Sequence, residues 1–486
     1  MQVDKISRDQ VLKNSFWKLL ESTAVPLLQV IVTVILARIL SPNDYGMMAI
    51  VLVIINFINL FINSGIASYL VFIKTIRKQD FYTSMIINIG VSVVLLLAMV
   101  LFAGDIALYY SAPLLKPLII ALAVTLPFNA VSSIYNAYAM KMSMFRVLFV
   151  RNLIALPGSG FLALLLAYCG FGVWALVAQQ ISCSILLFLV IVLTIKITID
   201  GEYKYEWNII KSMIGYGGFT FLSSCIAFIS DNISDLLIGK KINPQQLGYY
   251  NRGAQFPTLI VNIINSVLAG VLFPAFATYN TDYYELKEKC RKTIRLLYYA
   301  IFPVFFCMLV CAKPIVIITL SEKWLEAVPI LQLFCLYYCF LPFLQTSSQV
   351  YLATGYVKLR MAGEIFKMAS LLPLLFIFVR NGIIAVALCR TFVGFLLVIY
   401  TAIINKCILK YSFGELLGDI LKPLLFGSCI SFGLLIIGYL PFNIYIVSAI
   451  QLITGMLLST TLVKIFRISE VDEIISLVLA KIRSKK

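Results

Sequence analysis

Arg38-Ile-Leu-Ser-Pro42-Asn-Asp-Tyr-Gly46 has a counterpart in the middle of the chain, Lys240-Lys-Ile-Asn-Pro244-Gln-Gln-Leu-Gly248, at an offset of 202 residues. Kept without a gap, the offset also places Asn63-Ser64 on Asn265-Ser266, Ile58 on Ile260, Ile62 on Ile264 and Ala67 on Ala269. A turn and the helix after it, repeated in one register, predict two related halves. In each copy the proline is expected to stop the preceding helix. The glycine would permit close packing or an unusual backbone angle as the chain turns back.

Working outward, hydrophobic residues make up 61% of the chain and charged residues 13%, with a mean hydropathy of +0.98. Ordinary soluble domains are about 45–50% apolar and about 25% charged. Apolar runs of roughly 20 residues, enough to cross a bilayer, follow almost back to back. Continuous runs exclude a transmembrane barrel, whose segments would be short and alternating. The first 15 residues hold Lys5, Arg8 and Lys13 but no apolar core ending in a cleavage site, so no removable signal peptide is expected. The eleven cysteines fall inside apolar spans without metal or redox spacing, and there is no histidine. Neither a metal centre nor histidine-based acid–base chemistry is expected.

The predicted fold is an all-α polytopic membrane protein of about 14 transmembrane helices. Residues 1–195 form an N-terminal six-helix lobe, 196–211 a connection, and 212–406 a second six-helix lobe. An extra helix pair occupies 407–466, and a basic tail runs over 467–486. With the N-terminus in the cytoplasm, 29 Lys and Arg fall in cytoplasmic segments and eight in external ones; Lys367 and Arg390 stay inside spans. That bias puts both termini in the cytoplasm, both repeated turns outside, and makes the repeat a parallel one. The net charge of +17 is thereby explained by topology rather than by nucleic acid. Gly427, Gly433 and Gly438 would let span 13 pack closely on a neighbour.

Leu36-Ala-Arg38-Ile-Leu-Ser-Pro42-Asn-Asp-Tyr-Gly46 resembles the first external turn of polysaccharide transporters, the Wzx-type flippases of the multidrug/oligosaccharidyl-lipid/polysaccharide exporter superfamily. Ser64-Gly-Ile-Ala-Ser-Tyr-Leu70, Gly248-Tyr-Tyr-Asn-Arg252-Gly-Ala-Gln-Phe-Pro257 and Phe273-Pro-Ala275 match further. With Ser321-Glu-Lys-Trp324-Leu-Glu-Ala-Val-Pro329-Ile-Leu-Gln332, they look most like the WzxC/teichuronic-exporter branch. Gly253 stands where that branch would lead one to expect Ala. The resemblance implies a 14-span, two-lobed exporter of the bacterial inner membrane. It would move an undecaprenyl-diphosphate-linked oligosaccharide to the external leaflet, coupled to H+ or Na+, beside a polysaccharide polymerase and glycosyltransferases. No cofactor is implied.

A diphosphate headgroup crossing the membrane needs cations, and an intramembrane ionisable group is a functional candidate by default. Arg390, eighth residue of the twelfth span and about 10 Å along its helix, is the deepest. Arg38, Lys240 and Arg252 could form an external cationic rim, or simply snorkel to the interface. Asp231 and Asp235, four apart on one helix face, are candidates for ion coupling or for a gate. Arg252 across the second turn could pair with Asp235. Glu21 and Glu364 are further gate or coupling candidates, Glu364 equally a local partner of Lys367. Tyr249, Tyr250 and Trp324 are expected in the membrane aromatic belt. The segment Asp282–Arg295 reads as an amphipathic helix or a charged loop.

Three other functions compete with the flippase. An ion-coupled small-molecule exporter of the multidrug type is disfavoured by a cationic cavity. A lipid-linked peptidoglycan-precursor flippase is a neighbouring choice of substrate. A membrane-embedded glycosyltransferase or polymerase would need a large external loop or a carboxylate cluster, and the longest external segment, about Ala103 to Pro117, holds one acid, Asp105.

Overall fold

A computed structural model describes residues 8–63, 70, 73, 76–197, 207–277 and 283–465. Among them every regular element is a helix. Residues 64–69, most of the inter-lobe connection, Asp282 and the basic tail lie outside this set. Packing separates two compact units, Met1–Asn251 and Arg252–Lys486. The first contains α1 (Arg8–Ile39), α2 (Pro42–Ile62), α3 (Lys78–Tyr109), α4 (Leu115–Ala123), α5 (Thr125–Lys141), α6 (Phe145–Tyr168), α7 (Val173–Thr194), α8 (Trp207–Lys241) and the opening of α9 (Pro244–Ala277). The second holds the rest of α9, then α10 (Tyr283–Val310), α11 (Ala312–Thr319), α12 (Val328–Tyr338), α13 (Leu341–Ala353), α14 (Val357–Phe378), α15 (Ile383–Leu409), α16 (Phe413–Gly438) and α17 (Ile444–Ile465).

Ten helices among the described residues are long and apolar enough to cross a membrane. An eleventh is the pair Glu322–Tyr338 and Leu341–Ala353, bent by 42°. That bend interrupts what reads in sequence as one straight span; Pro342, near the start of α13, cannot donate to the preceding turn. Helices α8 and α9, 35 and 34 residues long, are additional to this set. The polytopic all-α class is therefore established, and fourteen remains the count expected from sequence.

The repeated stretch forms two corners with one hydrogen-bond pattern. At the first, Leu40 N donates to Leu36 O and Tyr45 N to Ser41 O; at the second, Ile242 N donates to Ile238 O and Leu247 N to Asn243 O. Every one of these positions is shifted by the same 202 residues. The prolines do not terminate helices here but open them: Pro42 and Pro244 are the first residues of α2 and α9. This suits a residue without an N–H, because the first helical N–H groups lack intrahelical acceptors. Ser41 caps α2, its Oγ accepting from Asp44 N at 3.2 Å while Asp44 Oδ2 accepts from Ser41 N at 2.9 Å. Asn243 caps α9 in the same way, Oδ1 accepting from Gln246 N at 2.8 Å. Ser became Asn and Asp became Gln, and the cap survived.

These two helix starts cross main chain to main chain. A Cβ on Gly46 would lie 1.6 Å from the Pro244 carbonyl oxygen, and one on Gly248 would lie 2.0 Å from that of Pro42. Close approach, rather than an unusual backbone angle, is what the glycines provide. Below the crossing α2 packs along α8: Ile50 fills the space over Gly239, and Phe57 and Phe61 meet Phe228 and Phe221 at 5.8 and 4.7 Å. The seventh span thus packs with the first compact unit.

In the second unit α16 packs on α10 where Gly427 abuts Phe302, and on α17 where Gly433 abuts Leu458. Tyr249, Tyr250 and Trp324 are buried in protein, not at a lipid boundary as expected. Trp324, fully enclosed beneath a 3-10 turn (Glu322–Ala327), anchors that turn as a core residue. The segment after Asp282 is helical and runs unbroken into α10.

Candidate functional site

A guanidinium placed within an apolar helix needs a partner that such a sequence seldom supplies. Arg390, the eighth residue of α15, meets two aromatic faces. Its guanidinium carbon lies 5.9 Å from the Phe334 ring centroid and 5.8 Å from that of Tyr337, both on α12. Desolvated cation–π contacts of this kind contribute about 2 kcal/mol. The seam is shaped to admit them: Gly394, one turn further on the same face, would carry a Cβ only 2.8 Å from Tyr337 Cδ2. Thr391 Oγ1 donates to the Leu333 carbonyl at 3.3 Å and fixes the register. Tyr337 packs against Tyr338, whose hydroxyl shares a 3.0 Å hydrogen bond with Thr258 of α9. Arg252 stands earlier on α9, its Nη1 donating to Gln255 Oε1 at 2.8 Å. Arg390 and Arg252 therefore belong to one unit, on helices linked through the Tyr337–Tyr338 pair.

The other candidates are dispersed. Arg38 is exposed near the end of α1. Lys240, its repeat counterpart, donates to the Tyr109 carbonyl and stands 4.5 Å over the Tyr109 ring, tying α8 to the last turn of α3. Asp231 is exposed and Asp235 half-buried on α8. Glu21 accepts from Lys18 at 3.0 Å, and Glu364 pairs with Lys367 at 3.7 Å. Both pairs are three residues apart on one helix, the local arrangement anticipated for Glu364. Among the described residues no cluster of acids and thiols is placed to hold a metal.

Sequence reasoning missed three features. Arg151, not singled out in the sequence, is the seventh residue of α6 and only 8% exposed. Its position inside the apolar run was the available signal. A charge network joins α10 to the start of α16: Lys287 pairs with Glu415 at 2.7 Å and Arg291 with Asp419 at 2.8 Å, while Tyr411 also donates to Asp419 at 2.9 Å. No spacing rule links residues 128 apart. Finally, an apolar groove of about 640 Å³ runs between α10, α11, α16 and α17 past Cys307, Cys311, Ile430 and Leu434. It shares Pro314 and Gln451 with an adjoining hollow of about 480 Å³ that includes Lys313.

Stacked membrane-length helices, cations within them and an apolar groove are features of a polytopic membrane transporter. The same class emerges from comparison with known proteins. Residues 35–329 match the family model described as polysaccharide biosynthesis protein. The chain belongs to this family. It is 23% identical over 340 residues to the succinoglycan biosynthesis transport protein ExoT of Rhizobium meliloti (strain 1021), covering 68% of this chain and 67% of ExoT. It is 22% identical over 329 residues to the lipopolysaccharide biosynthesis protein WzxC of Escherichia coli (strain K12), with 68% and 67% covered. The fold matches that of the lipid II flippase MurJ in an inward closed conformation, with a TM-score of 0.76 at 16% identity over 94% of this chain and 98% of MurJ.

Proposed function

We propose that this protein is a flippase that moves an undecaprenyl-diphosphate-linked oligosaccharide from the inner to the outer leaflet of a bacterial cytoplasmic membrane. One observation carries the reading: a chain of the polysaccharide biosynthesis family has the fold of a lipid II flippase along nearly its whole length. Within that frame the residues take consistent roles. Arg390, whose guanidinium lies against aromatic faces, offers its charge to the diphosphate, as does Arg252 in the same unit; Arg38 and Lys240 are candidates for an external cationic rim. The apolar groove provides surface for a polyprenyl chain. Asp231, Asp235, Glu21 and Glu364 are the carboxylates available to couple H+ or Na+. Both termini face the cytoplasm on the charge bias, with glycosyltransferases acting before the transfer and a polymerase after it. ExoT is named for transport in succinoglycan biosynthesis, which supports a transporter over an enzyme.

The leaflet distribution of the lipid-linked oligosaccharide in spheroplasts tests this. Inner-leaflet accumulation without the protein should be relieved by the native chain, and relieved at least tenfold less by Arg390→Gln at equal abundance. An unchanged distribution on adding the native chain overturns the function. Full relief by Arg390→Gln removes the cation from it. The fold also favours a peptidoglycan-precursor lipid as alternative cargo; relief of that lipid alone would assign it.

A further inference from the structure

Arg151 is a buried guanidinium with neutral partners. Nη1 donates to Asn136 Oδ1, Nη2 donates to Asn152 Oδ1 at 3.3 Å, and Nε is buried without an acceptor. Among the described residues no carboxylate forms an ion pair with it. Buried cations are ordinarily neutralised, since an uncompensated charge in a low-dielectric interior is costly. On α1, which packs along α6, Trp17 meets Phe149 and Val32 abuts Gly160, a register that brings Glu21 level with Arg151. Yet Glu21 is turned to Lys18 of its own helix, a side chain 50% exposed, while the Glu21 side chain is only 16% exposed. The carboxylate therefore sits between an outer, hydrated cation and an inner, desolvated one.

The surrounding seam leaves it free to choose. At this end α1 and α6 are joined by rings: Arg146 stands 5.7 Å over Trp17, Lys18 stands 5.6 Å over Phe145, and Trp17 meets Phe149 at 5.7 Å. None of these contacts uses the Glu21 carboxylate. Lys18 keeps the Phe145 ring if Glu21 departs. Because Glu21 and Arg151 fall at one level of the packed helices, the exchange asks for a side-chain movement across a single seam.

We propose that Glu21 exchanges between Lys18 and Arg151 during transport, latching α1 to α6 by a buried ion pair in one state and releasing it in the other. The structure shows the released arrangement, with Glu21 on Lys18. The inference uses the transport reading only for its readout, and the native chain separates the two: its failure to restore polymer export to a strain lacking the gene counts against the transport reading alone.

With native export restored, Glu21→Gln should lower export at least tenfold at native abundance, while Lys18→Gln lowers it less than threefold because Arg151 remains. Arg151→Gln should match Glu21→Gln, and the double variant should be no worse than either. The melting temperature of the purified resting protein should show no coupling between positions 21 and 151. Export retained by Glu21→Gln overturns the proposal, as does a loss by Lys18→Gln equal to that of Glu21→Gln. Coupling in melting as strong as in export would reveal a static pair and overturns it too. If Arg151→Gln fails to accumulate, the contrast between Glu21→Gln and Lys18→Gln decides alone.

Discussion

Replacing Gly46 by Ala places a methyl group where the Pro244 carbonyl oxygen already is. The added Cβ would lie 1.6 Å from that oxygen, and an ordinary contact begins near 3.4 Å, so the two helix starts must separate by about 1.8 Å. The obstacle is main chain, and no rotamer can clear it. Overpacking a core costs typically 1–3 kcal/mol even where side chains can yield, so a loss of about 3 kcal/mol is expected here. Helix propensity works the other way, favouring Ala over Gly by about 1 kcal/mol, and lowers the net loss to about 2 kcal/mol. Gly248→Ala should behave alike, its Cβ lying 2.0 Å from the Pro42 oxygen. The double variant should cost less than the sum, because one separation relieves both clashes. Gly90, on α3 with nothing within 4 Å of its Cβ, supplies the control: Ala there should stabilise by up to about 1 kcal/mol. Thermal melting of the purified protein in detergent measures all four. Gly46→Ala melting at or above the native temperature would refute the crossing, and so would equal shifts for Gly46→Ala and Gly90→Ala.

Asp419→Asn should destabilise by about 2 kcal/mol, since Asp419 is 3% exposed and loses its charged bonds to Arg291 and Arg295 while Arg291 keeps Glu288 and Glu415; melting of the purified protein checks it. Ser41→Ala removes the α2 cap and should cost about 1 kcal/mol in the same assay, whereas Ser41→Asn, the residue of the second copy, should be nearly neutral.

The corner was legible because it is local and occurs twice. Its prolines and glycines have few backbone meanings, and the shared register extended the argument into α2 and α9. The membrane class was legible for the same kind of reason, since long apolar runs have one common use. What sequence did not reveal lies in three dimensions. Spans apolar on every side carry no periodicity that fixes their rotation, so nothing announced that Arg390 would meet Phe334 and Tyr337. Arg151 lies near the start of an apolar run among other basic residues, and its burial depended on helices that the run itself does not reveal. Tyr249, Tyr250 and Trp324 followed the belt rule in composition while their burial depended on neighbours far along the chain. The same blindness applied to Asp419, whose partners Arg291 and Arg295 become visible only once α10 and α16 lie side by side.

That last network gives α16 an unequal mounting. Charged contacts from Lys287, Arg291 and Arg295 to Glu415 and Asp419 all fall within its first two turns. Beyond Gly427 its flank borders the groove, where Gln451 of α17 reaches the Leu434 carbonyl at 3.0 Å. The near end is held by directional charged bonds and the far half by apolar contacts with Cys307, Val310 and Cys311, which yield at less cost. From Asp419 to Gly438 the helix extends about 28 Å, so a tilt of about 5° displaces the far end by about 2.5 Å. A tilt of that size about the charged end would change the width of the groove beside Ile430 and Leu434 while the ion pairs kept their seat.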